Sequence, residues 1–268
     1  MGFLKDLRRS RILSRNLLDG DAWQDIVEQH PIVRRLTPEQ LARLRELTTL
    51  FLHEKSFQAS RGFTLDPFMC QVIAAQACLP VLELGLDWYR NWKWVLVVPE
   101  PDTSQRSWVD DASVVHERDG EWDGDAPAYG YGSVRLAWSS VEEAGWGHGD
   151  NVVIHEAAHI LDELDGTLDG CPALDEGLRS DEWHSVFSAA LEDMQRKVTS
   201  RKRTRIRIDE YAAESDSEFF AVASEYFFER PRLLHGEYPD VYRLLAAFYR
   251  QDPLGRGVPP RPLSSSGA

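Results

Sequence analysis

His155 and His159 stand four residues apart in the run Val152-Val153-Ile154-His155-Glu156-Ala157-Ala158-His159-Ile160-Leu161-Asp162. On an α-helix that spacing puts two imidazoles about 40° apart on one face, within reach of a single ion. Glu156 projects about 100° away from His155, near such an ion but free to move a proton. This is the His-Glu-x-x-His arrangement, in which two histidines bind zinc and the glutamate is the general base. The surrounding Val, Ile, Ala and Leu residues predict a buried helix. Two histidines and a glutamate are costly to bury unless something satisfies them, and one zinc ion would satisfy all three.

A catalytic zinc site needs a third protein ligand and an open position. Two carboxylates compete for that place. Asp165 lies six residues after His159, but a ligand there needs a sharp chain reversal that glycine normally provides, and position 162 is Asp. Glu218 opens the apolar run Glu218-Phe-Phe-Ala-Val-Ala-Ser-Glu-Tyr-Phe-Phe-Glu229. It is also the fourth residue of Ser215-Asp-Ser-Glu218, a capping box that would use it only to start a helix. Spacing favours Glu218 over Asp165. Asp162 shares the helical face of both histidines and is either a support for one of them or a plain solvent-facing acid.

The elements that hold these residues follow from periodicity and punctuation. Thr37-Pro38-Glu39-Gln40 reads as a capped helix start, followed by Leu41, Leu44, Leu47, Leu50 and Phe51 at helical spacing. Asp66-Pro67 opens a second helix with Cys70, Ala74 and Cys78 on one face. Beyond about residue 90 the pattern changes to short strands at Trp94–Val98, Ser113–His116 and Ser133–Trp138, the last preceded by the turn Tyr129-Gly-Tyr-Gly. Helices return at Asn151–Leu164, 181–198, Ser217–Glu229 and 240–250. The class is α+β, with a small mixed or antiparallel sheet beside the motif helix. The organisation expected is a helical region over 1–90, a catalytic domain over 91–255 and a tail over 256–268.

The chain has 268 residues, with 44 Asp and Glu against 30 Lys and Arg, for a formal charge of −14. That surplus argues against general binding of nucleic acid or anionic membrane, both of which need a positive face. The basic residues are uneven. Lys5, Arg8, Arg9, Arg11 and Arg15 face a single Asp6 near the N-terminus, and residues 196–207 carry seven basic side chains and no acid. Each run reads as a solvated surface or a docking patch for an acidic partner. Cys70, Cys78 and Cys171 form neither a disulfide framework nor a metal knuckle, which suits reduced thiols in a cytoplasmic protein. No apolar stretch has the length of a signal core or a membrane span.

The motif helix, the segment Ser217-Glu-Phe-Phe-Ala-Val-Ala-Ser-Glu-Tyr-Phe-Phe-Glu-Arg-Pro231, Tyr238-Pro-Asp-Val-Tyr242 and the ending Phe248-Tyr-Arg-Gln-Asp-Pro253 together resemble the Mlc titration factor A family of bacterial zinc peptidases. The resemblance runs from about Trp94 to Pro253 and more loosely through the helical first third. It implies a zincin-like fold related to the catalytic domain of anthrax lethal factor. It also implies a cytoplasmic metallopeptidase of aminopeptidase type, acting on peptide or aminoacyl substrates with one zinc ion. By motif matching, His155, His159 and Glu218 would be the zinc ligands, Glu156 the acid/base, and Tyr211 the tyrosine that precedes the ligand glutamate and could donate to a developing oxyanion. The chain departs from the family's common pattern at Ala157, where Phe is usual, and in the lead-in Tyr211-Ala-Ala-Glu-Ser-Asp-Ser217. The family name also implies a transcriptional repressor as partner, so the alternative is a regulatory binding protein whose zinc is of secondary importance. A retained general base and an open coordination position favour the enzyme.

Overall fold

The computed structural model describes residues 2–101, 132–175, 177–200 and 206–256. Four helices come first: α1 (Gly2–Asn16), α2 (Gly20–Gln29), α3 (Pro31–Arg34) and α4 (Pro38–Glu54). Thr37 caps α4 as its sequence predicts, accepting from the Gln40 N–H while the Gln40 side chain accepts from the Thr37 N–H. Strand β1 (Ser56–Ala59), helix α5 (Pro67–Cys78), strands β2 (Trp94–Val98) and β3 (Ser133–Ala137), and helix α6 (Trp138–Glu143) follow. The motif helix α7 (Val152–Asp162), the long α8 (Ser180–Thr199), α9 (Asp216–Glu229), α10 (Pro231–Glu237) and α11 (Pro239–Tyr249) complete the fold. The class is α+β, as the residues imply.

The sheet corrects one expectation. Its order is β1-β2-β3 and both described pairings are parallel, with Phe57 opposite Val95 and Val95 opposite Val134. A parallel neighbour needs a long crossover, and the segment between β1 and β2 carries α5. The central strand shows the signature of a strand covered on both faces: Trp94-Val-Leu-Val-Val98 does not alternate, and Val95 to Val98 are all buried. Strand β1 lies in the stretch expected to be wholly helical. The anticipated strand Ser113–His116 and residues 129–131 of the turn lie outside the described residues, as do 201–205 of the basic run and nearly all of the tail.

The buried residues from Leu18 to Tyr249 form one hydrophobic cluster, so the N-terminal helices share the core of the rest. Part of the N-terminal positive charge is paired within the fold, while Arg8, Arg11 and Arg15 are exposed. Arg9 pairs with Glu54 at 2.7 Å, which fastens α1 to α4, and Arg9 and Lys5 join Asp87 of the turn at Leu86–Tyr89 at 2.8 and 2.6 Å. The described part of the second basic run is likewise engaged: Arg196 and Lys197 with Asp193, and Arg207 with Glu237. The free thiols of Cys78 and Cys171 are buried. No helix among the described residues is long and apolar enough to cross a membrane.

Helix α9 is the axis of the C-terminal half. Every residue from Phe219 to Glu229 is buried, so packing on all sides fixes its rotation. An aromatic cluster sets that rotation: Trp183 stacks on Phe187 of α8 at 4.4 Å, and both rings meet Phe220 of α9, while Trp183 also meets Phe248 of α11. The helices α7, α8 and α9 meet at Gly170. Its N–H donates to Asp162 at 2.9 Å, its carbonyl accepts from the Trp183 indole at 2.8 Å, and its backbone has φ +75°. A Cβ there would stand 2.4 Å from the carbonyl oxygen of Asp216. Gly170→Ala is therefore expected to lower the unfolding free energy by about 1–3 kcal/mol from backbone strain alone, read by urea denaturation; an unchanged midpoint would contradict this role.

Candidate metal centre

Asn151 starts the motif helix by accepting the Ile154 N–H on its side-chain oxygen at 3.0 Å. The helix ends at Asp162, runs into one 3₁₀ turn over Glu163–Asp165, and stops at Gly166 with φ +99°. Val153, Ile154, Ala157, Ala158 and Leu161 are fully buried. That leaves His155, Glu156 and His159 partly exposed on the remaining face. Helix α9 packs against α7 and brings Glu218 over that face.

His155 Nε2, His159 Nε2 and Glu218 Oε2 converge, and one ligand atom from each lies within 4.8 Å of the others. The Nε2 atoms are 3.2 Å apart, and Glu218 Oε2 is 3.1 Å from His155 and 3.5 Å from His159. Bonds of about 2.0–2.1 Å from a tetrahedral ion give ligand-to-ligand edges of about 3.3–3.4 Å, so the three atoms are spaced as a single small cation requires. The buried Glu218 Oε2 also lacks a hydrogen-bond donor. The donor set itself attracts positive charge. Burial works against a charged His155, yet the adjoining carboxylates of Glu218 and Glu225 outweigh it and lift its pKa to about 10. Burial likewise opposes a charged Glu218, but the two histidines hold its carboxyl well below the ordinary range. These residues fit a metal ion.

Asp165 does not join them. Its carboxylate accepts from the N–H and hydroxyl of Thr167, at 3.1 and 2.8 Å, in a local turn. The capping reading of Glu218 holds only for its backbone, whose N–H donates to Ser215 Oγ at 3.2 Å while the carboxylate faces the histidines. Asp162 is fully buried, which corrects the solvent-facing alternative. Its Oδ2 accepts from Gly170, its Oδ1 has no partner, and burial pushes the carboxyl up to about 7 despite the pull of that N–H and of His159.

Two functional residues escaped the sequence reading. Glu225 and Glu229 follow Glu218 at seven and eleven residues, which returns them to within about 20° of the same helical face. Glu225 Oε1 accepts from His155 Nδ1 at 2.8 Å. A carboxylate can only accept, so Nδ1 carries a proton, which leaves Nε2 as the nitrogen that would offer its lone pair to a metal displacing its proton. The other Glu225 oxygen accepts the Asn151 N–H. Glu229 accepts from the Asn151 amide at 2.9 Å and from the Gly145 N–H at 2.8 Å, and the same amide donates to Gln76 of α5 at 2.7 Å. Burial pushes both carboxyls up, and these donors pull the other way. A glutamate at i, i+7 and i+11 of an otherwise apolar helix was the available signal.

The centre opens into a cleft of about 900 Å³ lined by His155, Glu156 and Tyr211. The Tyr211 ring lies 6.0 Å from the His155 ring, and the phenol is pushed up by burial and by Glu218, Glu214 and Glu156. Glu142, Glu143, Asp150 and Asp209 add negative charge to the cleft wall, which contains no Lys or Arg among the described residues.

A metal-ready His-His-Glu cluster, set in an open cleft with a glutamate beside it, is the equipment of a metallopeptidase. A model of the glucose-regulated metallo-peptidase M90 family matches residues 4–250, and the chain belongs to that family. It is similar to proteins named Mlc titration factor A. One from Escherichia fergusonii is 35% identical over 240 residues, covering 89% of each chain. Those from Escherichia coli and Salmonella typhimurium are 34% and 35% identical over 236 residues, covering 87% of each.

Two outcomes follow for metal content and affinity. Glu218→Ala should strip the metal while Asp165→Ala retains it, as read by plasma mass spectrometry of the purified variants; the opposite pattern would return Asp165 to the site. Glu225→Gln should weaken metal binding about 10- to 100-fold in a chelator competition, with unfolding little changed, and full affinity would show that His155 needs no such orientation.

Proposed function

We propose that this protein is a zinc-dependent peptidase of aminopeptidase type, with His155, His159 and Glu218 as zinc ligands and Glu156 as general base. The observation that carries the proposal is the placement of Glu156 and Tyr211 on one open cleft with His155. Zinc suits a site of two imidazoles and one carboxylate, and it supplies Lewis acidity that polarises a carbonyl and eases deprotonation of water near neutral pH.

Glu156 takes the proton from water as the oxygen attacks the scissile carbonyl, then delivers it to the leaving amine. Tyr211 donates its hydroxyl proton to the oxyanion that develops, an interaction worth about 2.7–4 kcal/mol where such donors have been removed. Burial and the surrounding carboxylates keep the phenol protonated, as a donor must be. Glu225 keeps the His155 ring in the required tautomer. The acidic wall of Glu142, Glu143, Asp150 and Asp209 attracts a protonated substrate amine, which supports cleavage next to a free amino terminus rather than within a chain. Strand β3, at one end of the described sheet, offers its outer edge to an extended peptide. The reduced cysteines suit a cytoplasmic setting.

The name of the relatives supports a second reading, in which the chain sequesters a transcriptional repressor. One variant separates the two. Glu156→Gln should keep its metal and abolish hydrolysis of aminoacyl and short peptide substrates, whereas capture of a repressor would survive it. Tyr211→Phe should lower kcat about 100-fold or more with metal content unchanged. Hydrolysis undiminished in Glu156→Gln would overturn the mechanism.

A further inference from the structure

A second pocket, of about 330 Å³, shares no lining residue with the cleft of the metal centre. Five arginines line it, Arg35, Arg207, Arg230, Arg232 and Arg256, with Leu233, Pro253 and Leu254 as apolar wall. In a chain of net charge −14 such a concentration is unexpected, and internal pairing does not account for it. Among the described residues only Arg207 has a carboxylate within ion-pair distance, Glu237 at 3.2 Å. Glu229, the one acid in the lining, is already engaged by Asn151 and the Gly145 and Gly147 amides. Arg35 reaches only the Glu229 carbonyl oxygen, at 3.5 Å, and its buried Nε has no partner. Arg256 donates to a neutral acceptor, Gln251 Oε1, at 2.8 Å.

Like charges gathered around one concavity repel, and partly desolvated guanidinium groups without an anion are costly. Arginine forks match phosphate oxygens in pairs. A concavity of about 330 Å³ suits a small molecule, whereas an extended polyanion would also meet the acidic body of the protein.

We propose that this arginine pocket binds a small phosphorylated molecule carrying at least two negative charges, such as a phosphate ester or a pyrophosphate. The pocket lies behind Glu229, whose carboxylate holds the Gly145–Asn151 segment from which the motif helix starts. The site stands whether or not the peptidase reading does, because none of its arginines touches the metal-ligand cluster and the two share only Glu229, which reaches that cluster through Asn151.

Inorganic pyrophosphate is the probe, titrated by calorimetry into the metal-loaded full-length protein and into chelator-treated protein, with metal content followed because the probe also chelates. One equivalent should bind in both forms, more weakly as salt rises. Arg230→Ala with Arg232→Ala should weaken binding at least tenfold, while Arg179→Ala, at an exposed pair with Asp181, should leave it unchanged. Both side chains are exposed, so the double variant should fold, and Arg230→Lys with Arg232→Lys should bind several-fold less tightly than wild type through loss of the forks. The proposal is overturned by any of three results: no saturable binding, alanine variants that bind like wild type, or tighter binding of an oligoglutamate peptide than of pyrophosphate.

Discussion

Three carboxylates on one face of α9, lying against α7, are the constraint on which the site depends. Glu218, Glu225 and Glu229 form a stripe about 16 Å long at 1.5 Å per residue. Each meets a different part of the motif helix and its lead-in: the two Nε2 atoms, the His155 Nδ1 with the Asn151 N–H, and the Asn151 amide with the glycine loop. Burying such groups is unfavourable unless each oxygen finds a donor or a cation. The stripe therefore specifies one register of α7 against α9. Shifting either helix by a residue would strand at least one buried carboxylate. The aromatic contacts of α8 and α11 hold α9 in the rotation that makes this register available.

Much of this centre was legible in the residues. The four-residue spacing of His155 and His159 states their common face, and Glu218 stood out as a charge at the head of an apolar helix. Glu225 and Glu229 were passed over because they sit within the apolar run, where the eye follows the Phe residues and treats the acids as its polar side. In fact α9 has no solvent-facing side from Phe219 to Glu229, and both acids are interior. Asp162 left two readings open for a related reason: an acid at the end of a helix is ordinarily solvated, but here the chain doubles back so that Gly170 covers it.

The sheet was the least legible element. Alternation marks a strand with one wet face, and β2 has none, so the lack of alternation in Trp94–Val98 was itself the evidence for a covered parallel strand. Strand β1, only four residues long and partly exposed, carries no periodic signal at all; tertiary pairing with β2 defines it. Net charge hid its own structure. The same −14 contains an acidic cleft at the metal centre and an arginine pocket on the far side of Glu229, two opposed local fields that a sum cannot show.

The central claim is that two imidazoles and one carboxylate, from α7 and α9, hold a single metal ion with a position left open. X-ray absorption at the metal edge of the purified, metal-loaded protein tests it most directly. The account predicts one ion per chain with two imidazole scatterers and oxygen donors at about 2.0–2.2 Å, and an oxygen shell that changes when a small competing ligand is added. A sulfur shell, a single imidazole, or a shell closed to added ligand would contradict it.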